Sequence, residues 1–272
     1  MGRILGALIF ILTIVSIIIF AGGFWPAPPF DAAGHAVAPT NAMGRAIDAQ
    51  FARTMIVVGI AFILAQVALG YILFRFGGGK KGEKAMYTHG NNRLEVIWTI
   101  VTAVVFVTLG VMAQKVWAEL HLTAPPADAI EWEVTGQQFE WNFHNAGPDK
   151  QMGPLNMKLW SDQANFGVDD NDSRSKDDIV SKQMVVPVNH PVKVTLRSKD
   201  VIHSFFIPAF RLKQDAVPGM TIVIHFTPEK IGEYDIACAE LCGMFHYKMP
   251  SKLRVVSDQD YQDWLTKNAG NH

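Results

Sequence analysis

Cysteine is almost missing from this chain: there are two in 272 residues, at positions 238 and 242. A disulfide framework is therefore excluded as the source of the fold, leaving at most one bridge across a three-residue spacer. Cys-x-x-Cys-His does not occur, so the chain offers no attachment site for a c-type haem. Net charge is nearly absent as well. The 24 Lys and Arg against 25 Asp and Glu leave −1, which points neither to nucleic acid nor to any other strongly charged partner. No internal repeat is evident. The acidic stretch 166–178 has five Asp but lacks the Gly and terminal Glu of an EF-hand, so a solvated loop is expected there rather than a calcium site.

What charge there is lies unevenly. Residues 118–272 hold 21 Asp and Glu against 15 Lys and Arg, a net of −6, whereas residues 75–93 hold five Lys and Arg and one Glu, a net of +4. Around the basic stretch stand two uncharged apolar runs, residues 55–74 and 96–114, each close to the roughly 20 residues a helix needs to cross the hydrocarbon of a bilayer. They predict a transmembrane helical hairpin over 51–117. The positive-inside rule puts its basic loop in the cytoplasm and the large C-terminal part on the outer face. A third run, residues 4–20, follows Arg3 and precedes small residues, so residues 1–25 read as a signal peptide or an extra transmembrane helix. Residues 26–50, with Pro26, Pro28, Pro29 and Pro39, read as a linker.

From about residue 128 the period of the sequence changes. Ile130, Trp132 and Val134 alternate with polar neighbours, as do Phe139, Trp141 and Phe143 against Gln138, Glu140 and Asn142. Further strands are predicted at 184–188, 192–197, 201–207, 221–226, 233–238 and 252–256, separated by Pro, Gly and Asp signals, which makes 118–257 an all-β sandwich or barrel. Residues 258–272 read as a short closing helix and tail with Ser257 as its N-cap.

The chemistry is concentrated in Cys238-Ala-Glu-Leu-Cys-Gly-Met-Phe-His246-Tyr-Lys-Met249. Two thiols, an imidazole and a thioether in one loop form a soft-metal ligand set, and Met249 tips it towards copper, since zinc sites are ordinarily filled by Cys, His and carboxylate. A Cys238–Cys242 disulfide, a structural zinc site and simple core packing of Met249 are the competing readings. A second imidazole is needed from a rigid element. His203, among apolar neighbours on a predicted strand, is the candidate, with a satisfied core histidine as the competing reading.

These residues together resemble subunit II of the haem–copper cytochrome c oxidases. The resemblance runs from about Arg53 to Val256. It rests on Asn91-Asn-Arg-Leu-Glu-Val-Ile-Trp-Thr99, Lys199-Asp-Val-Ile-His-Ser-Phe-Phe-Ile-Pro208, Lys213-Gln-Asp-Ala-Val-Pro-Gly219 and the Cys/His/Met loop, in that order. It implies an N-terminal transmembrane α-helical hairpin followed by an all-β cupredoxin-like Greek-key barrel that carries a dinuclear copper A centre. Cys238 and Cys242 would bridge the two coppers, His203, His246 and Met249 would be terminal ligands, and the Glu240 backbone carbonyl would complete the set. The Glu240 carboxylate would go to a Mg2+ ion shared with subunit I.

The family resemblance further implies a respiratory-chain component in a bacterial-type plasma membrane. It would accept electrons from cytochrome c or a similar soluble donor and pass them to haem in subunit I, where oxygen is reduced and protons are pumped. Glu95 would lie near the entrance of a proton path, or else be an interfacial carboxylate facing water. Asp200 would help to dock a basic donor, or only cap a strand turn. The chain departs from the family at Gln138-Phe-Glu-Trp141, where the usual first Trp is Phe139. Electrons would then enter through Phe139 or Trp141, unless these only pack a core.

Three rivals remain. A copper-free quinol-oxidase subunit conflicts with the intact ligand set, and a nitrous oxide reductase copper domain with the membrane spans and the lack of a second catalytic domain. A membrane-anchored copper chaperone would present its ligands on mobile segments rather than on a barrel.

Overall fold

The computed structural model describes residues 2–24, 36–77, 84, 87, 89–156, 158–160, 167–169 and 171–271. Two compact units emerge, one formed by residues 1–27 and 48–116, the other by residues 28–47 and 117–272.

Three helices are long and apolar enough to cross a membrane, α1 (Gly2–Ile19), α2 (Ala42–Phe76) and α3 (Asn92–His121), and they make up the first unit except for the start of α2 and the end of α3, which belong to the second. Their surfaces carry exposed Ile, Leu, Val and Phe along their length, as helices facing lipid would. Glycines let α1 approach α2 closely. The Gly2 N–H donates to the Gly77 carbonyl at 3.2 Å, and a Cβ on Gly6 would lie 2.6 Å from the Phe74 backbone nitrogen. Asn91 caps α3, its Oδ1 accepting from the Arg93 and Leu94 N–H groups at 3.1 and 3.2 Å, and Glu95 sits in the first turn. The basic loop residues 78–83 lie outside the described residues.

The linker expected over 26–50 is corrected in its second half, because α2 opens at Ala42. Asn41, only 2% exposed, accepts from the Gly44 N–H at 2.9 Å, while Glu229 accepts from the Ala42 N–H at 2.6 Å and pairs with Arg45 at 2.9 Å. An acceptor at a helix N-terminus satisfies orphan donors and favours the local dipole. The uncharged apolar run begins only after Arg53, so the first turns of α2 carry no such pattern. Val37 packs on the β core, and residues 25–35 lie outside the described residues.

The second unit is an all-β, cupredoxin-like sandwich. Its strands are β1 (Ile130–Gln137), β2 (Glu140–Asn145), β3 (Ile179–Ser181), β4 (Met184–Pro187), β5 (Val192–Ser198), β6 (His203–Ile207), β7 (Leu212–Ala216), β8 (Ile222–Phe226), β9 (Gly232–Cys238) and β10 (Ser251–Val256). One sheet runs β3-β2-β1-β5-β8, the other β4-β10-β9-β6-β7; β1 with β5 and β4 with β10 are parallel, the remaining pairs antiparallel. Trp132, Val134, Trp141, Phe143, Val194, Leu196, Phe205, Ile207, Ile236 and Leu253 fill the space between the sheets. The closing helix α4 (Asp258–Asn268) is capped by Ser257, whose Oγ accepts from the Asp260 N–H at 3.2 Å. Strands β3 and β7 were not predicted: both are edge strands, and an edge strand tolerates a polar sequence such as Leu-Lys-Gln-Asp-Ala.

The outer face of β1 and β2 is covered as well. Thr135, Gln137, Asn142 and His144 are each under 10% exposed. The cover comes from the segment between β2 and β3, and here the solvated-loop expectation for 166–178 is corrected: Val168, Ser175 and Asp178 are fully buried. Phe166 and Asp170 lie outside the described residues. His144 is held between two carboxylates, with Nε2 2.7 Å from Asp178 and Nδ1 3.4 Å from Glu133, and Glu133 also accepts from Arg197 at 3.1 Å. Burial alone would lower the His144 pKa, but these two carboxylates outweigh it and raise it.

Candidate metal centre

Strand register brings the ligands together. β6 begins at His203 and pairs with β9, which ends at Cys238, with Phe205 opposite Cys238; the Ala239 N–H continues the ladder to the Ser204 carbonyl at 2.9 Å. From Cys238 the chain turns through Cys242 and a short helical turn, His246–Lys248, to Met249 just before β10.

The donor atoms form a continuous set. His203 Nδ1 lies 3.9 Å from Cys238 Sγ, Cys238 Sγ is 3.9 Å from Cys242 Sγ, and Cys242 Sγ is 3.5 Å from His246 Nδ1 and 3.9 Å from Met249 Sδ. The Glu240 carbonyl oxygen is 3.3 Å from Cys238 Sγ. Both cysteines are free thiols, and their separation is far beyond the roughly 2.05 Å of a disulfide. Among the described residues, His203, Cys238 and Cys242 are the one group of His, Cys, Asp and Glu whose ligand atoms cluster closely enough to hold a metal ion. Two thiols, two imidazoles and a thioether on strand ends and one short loop fit a soft metal such as copper.

The partner of one imidazole, which the sequence could not assign, is visible. His203 Nε2 donates to Asp200 Oδ1 at 2.8 Å, which leaves Nδ1 facing the thiols. Asp200 Oδ2 accepts from the Gln138 N–H at 2.7 Å, and its Oδ1 accepts from the Val201 N–H at 2.7 Å. Burial opposes the Asp200 charge, yet these donors hold its pKa below the ordinary value. Burial likewise opposes ionisation of Cys238, but the His203 ring and backbone groups of Ser204 and Glu240 bring that thiol down to about 6. Burial, and then the neighbouring Cys238 charge, push Cys242 up to about 11. Of the two thiols, Cys238 is therefore the more readily ionised.

The positions of the remaining expected residues differ in kind. Trp141 is 1% exposed and lies edge-on to His203 and Phe205, at 5.9 and 5.4 Å between centroids. Phe139 is half-buried beside the loop, edge-on to Phe245 at 5.4 Å. Asp200 turns its carboxylate inward rather than presenting it to solvent alone. The Glu240 side chain is exposed, as are Leu241, Met244 and Tyr247 on the rim. Glu95 belongs to the helical unit, where it sits in the first turn of α3.

Two residues were missed in the sequence. Gly136 leaves room for the imidazole, since a Cβ there would lie 2.9 Å from the His203 ring; a glycine inside a strand is the signal of such an approach. Gln138 donates its side-chain amide to the Cys242 carbonyl at 2.6 Å, and no local pattern marks it.

Residues 133–256 match the family model "Cytochrome C oxidase subunit II, periplasmic domain" and residues 36–116 match "Cytochrome C oxidase subunit II, transmembrane domain". The alternative cytochrome c oxidase subunit 2 of Bradyrhizobium diazoefficiens is 36% identical over 214 residues, 78% of this chain and 76% of the relative. Cytochrome c oxidase subunit 2 of Cereibacter sphaeroides is 33% identical over 230 residues, 79% of this chain and 74% of the relative. The crystal structure of the periplasmic domain of subunit II of cytochrome oxidase of Bradyrhizobium japonicum is 30% identical, with a TM-score of 0.40, covering 53% of this chain and 96% of that one. With both of its units matched and two relatives aligned over most of their length, the chain belongs to the cytochrome c oxidase subunit II family, and is a membrane-bound subunit of a haem–copper oxidase with a periplasmic β domain.

Proposed function

We propose that this subunit takes electrons one at a time from a soluble donor such as cytochrome c and passes them to haem in subunit I of a proton-pumping terminal oxidase, where oxygen is reduced to water. The observation that carries this reading is the continuous donor set running from His203 through Cys238 and Cys242 to His246 and Met249, at separations of 3.5 to 3.9 Å. Cys238, Cys242, His203, His246, Met249 and the Glu240 carbonyl would together hold a dinuclear copper A centre. When bound, the copper pair supplies a one-electron redox couple shared over both metals.

The protein's own part is to hold that donor set still. His203 and Cys238 sit on paired strands, and Asp200 fixes the ring of His203. Cys242 and Met249, 4% and 1% exposed, exclude water from the inner side. A site so constrained changes shape little when its charge changes. Phe139, half-buried on the rim with Trp141 buried behind it against His203, is the better placed of the two aromatics to receive an electron from outside. The exposed Glu240 carboxylate is available to a Mg2+ ion shared with subunit I, and Glu95 would stand near the opening of that subunit's proton path. In this reading the chain lies in a bacterial-type plasma membrane with the basic stretch 75–93 inside and domain 118–257 outside; the charge of that stretch is the support.

The test is copper stoichiometry with EPR and optical spectra of the full chain, purified in detergent and loaded under thiol-protecting conditions. Two coppers sharing one unpaired spin support the reading. One copper, zinc, or an oxidised Cys238–Cys242 pair sinks it.

A further inference from the structure

The turn between β1 and β2 touches both halves of the metal site. β1 ends at Gln137 and β2 begins at Glu140, so Gln138 is the first residue of the turn. Its backbone N–H donates to Asp200 Oδ2 at 2.7 Å, and the other oxygen of that carboxylate accepts from His203 Nε2 at 2.8 Å. Its side-chain Nε2 donates to the Cys242 carbonyl at 2.6 Å. One residue therefore reaches the strand-borne imidazole through one carboxylate and the second thiol-bearing residue directly.

The loop is shaped to receive it. Gly243, next to Cys242, has φ +140°, and a Cβ there would lie 2.8 Å from Gln138 Nε2 and 3.0 Å from the Phe139 ring. The neighbouring Gln137 points elsewhere: its amide bonds Glu140 at 2.6 Å, and its Oε1 accepts from Trp160 and Lys199 at 3.2 and 3.0 Å. Cys238 is held to β6 by strand pairing, whereas Cys242 lies beyond the end of β9. An amide donor on its carbonyl is the tie that strand register does not provide.

We propose that Gln138 is a positioning residue of the metal centre, setting the placement of Cys242 against Cys238 and His203 by holding the Cys242 carbonyl and the Asp200 carboxylate at once. This rests on reading the Cys/His/Met cluster as a copper centre. Removing an outer-shell partner of a metal site ordinarily costs about 10- to 100-fold in affinity. Copper release from Gln138→Ala to a competing chelator should then be at least about tenfold faster than from the unaltered chain.

The experiment uses the full chain in detergent and compares Gln138→Ala, Gln138→Glu and Gln137→Ala with the unaltered protein. It reads copper release, the EPR hyperfine pattern and the optical spectrum. Gln138→Glu keeps the size of the side chain and removes its donor, and since both variants keep the backbone N–H to Asp200, they read the side-chain tie to Cys242 even where the alanine variant folds poorly. The expected result is an altered spectrum and faster release in both Gln138 variants, with Gln137→Ala unchanged. Gln138 variants that match the unaltered protein overturn the proposal, and so does an equal change in Gln137→Ala, which would mean only that the hairpin had loosened. Failure of the unaltered chain to hold two coppers would instead overturn the functional reading beneath it.

Discussion

Asp200 Oδ1 and His203 Nε2 lie 2.8 Å apart, three residues from one another, with the His203 ring fully buried and its other nitrogen turned to Cys238. The carboxylate fixes both the ring's orientation and the tautomer that keeps Nδ1 free for a metal. Asp200→Asn removes that acceptor charge and, by the usual worth of such partners, should weaken copper retention by about 10- to 100-fold. A chelator competition that finds unchanged retention would leave Asp200 as a surface residue only.

The two thiols should react unequally in the metal-free protein. Cys238 is half-buried with its pKa brought down to about 6, while Cys242 is 4% exposed and pushed up to about 11. Near pH 7.5, mass spectrometry should find iodoacetamide on Cys238 well before Cys242. Equal rates would contradict the asymmetry.

His144 makes stability depend on pH in a stated direction. Its pKa is raised above 6.5 in the fold, so its contribution is complete below 6.5 and is lost as pH rises through the raised value. Glu133 acts oppositely, lowered from 4.5 by His144 and Arg197 against burial, so its contribution is present above 4.5 and is lost as pH falls through the lowered value. Thermal unfolding should show Tm falling on the alkaline side of 6.5. His144→Gln should lower Tm overall, because Glu133 and Asp178 lose a shared cationic partner, and should flatten that alkaline slope. A variant whose Tm keeps the same slope would exclude His144 as its cause.

Gly136→Ala places a methyl group 2.9 Å from the His203 ring, on a strand whose backbone cannot retreat without breaking its pairing with β2 and β5. The expected effect is a displaced imidazole, read as a changed copper EPR spectrum, with the sandwich still folded by circular dichroism. An unaltered spectrum would show that the ring has room the distance denies.

Electron delivery by a basic donor should slow as salt rises, since residues 118–272 carry a net of −6. Stopped-flow rates that ignore ionic strength would remove electrostatic steering from the account.

The sequence by itself determined the apolar helices, the change to an alternating period at about residue 128, and the ligand types. Each of these is local. Four of the donors fall within twelve residues, and a helix in lipid or a half-buried strand writes its period into adjacent positions. Tertiary structure decided what depends on segments far apart in the chain meeting. The register of β6 against β9 set His203 beside Cys238, and the β1–β2 turn carried Gln138 to Cys242, 104 residues away. The segment after β2 buried Asp178 against His144, where the charge pattern promised a solvated loop. The α2 helix begins at Ala42, where Glu229, in the same unit as the helix's first residues, accepts from the Ala42 N–H. In each case the partner that satisfies a buried polar group is chosen by strand order and register, and a chain read one residue after another does not contain that information.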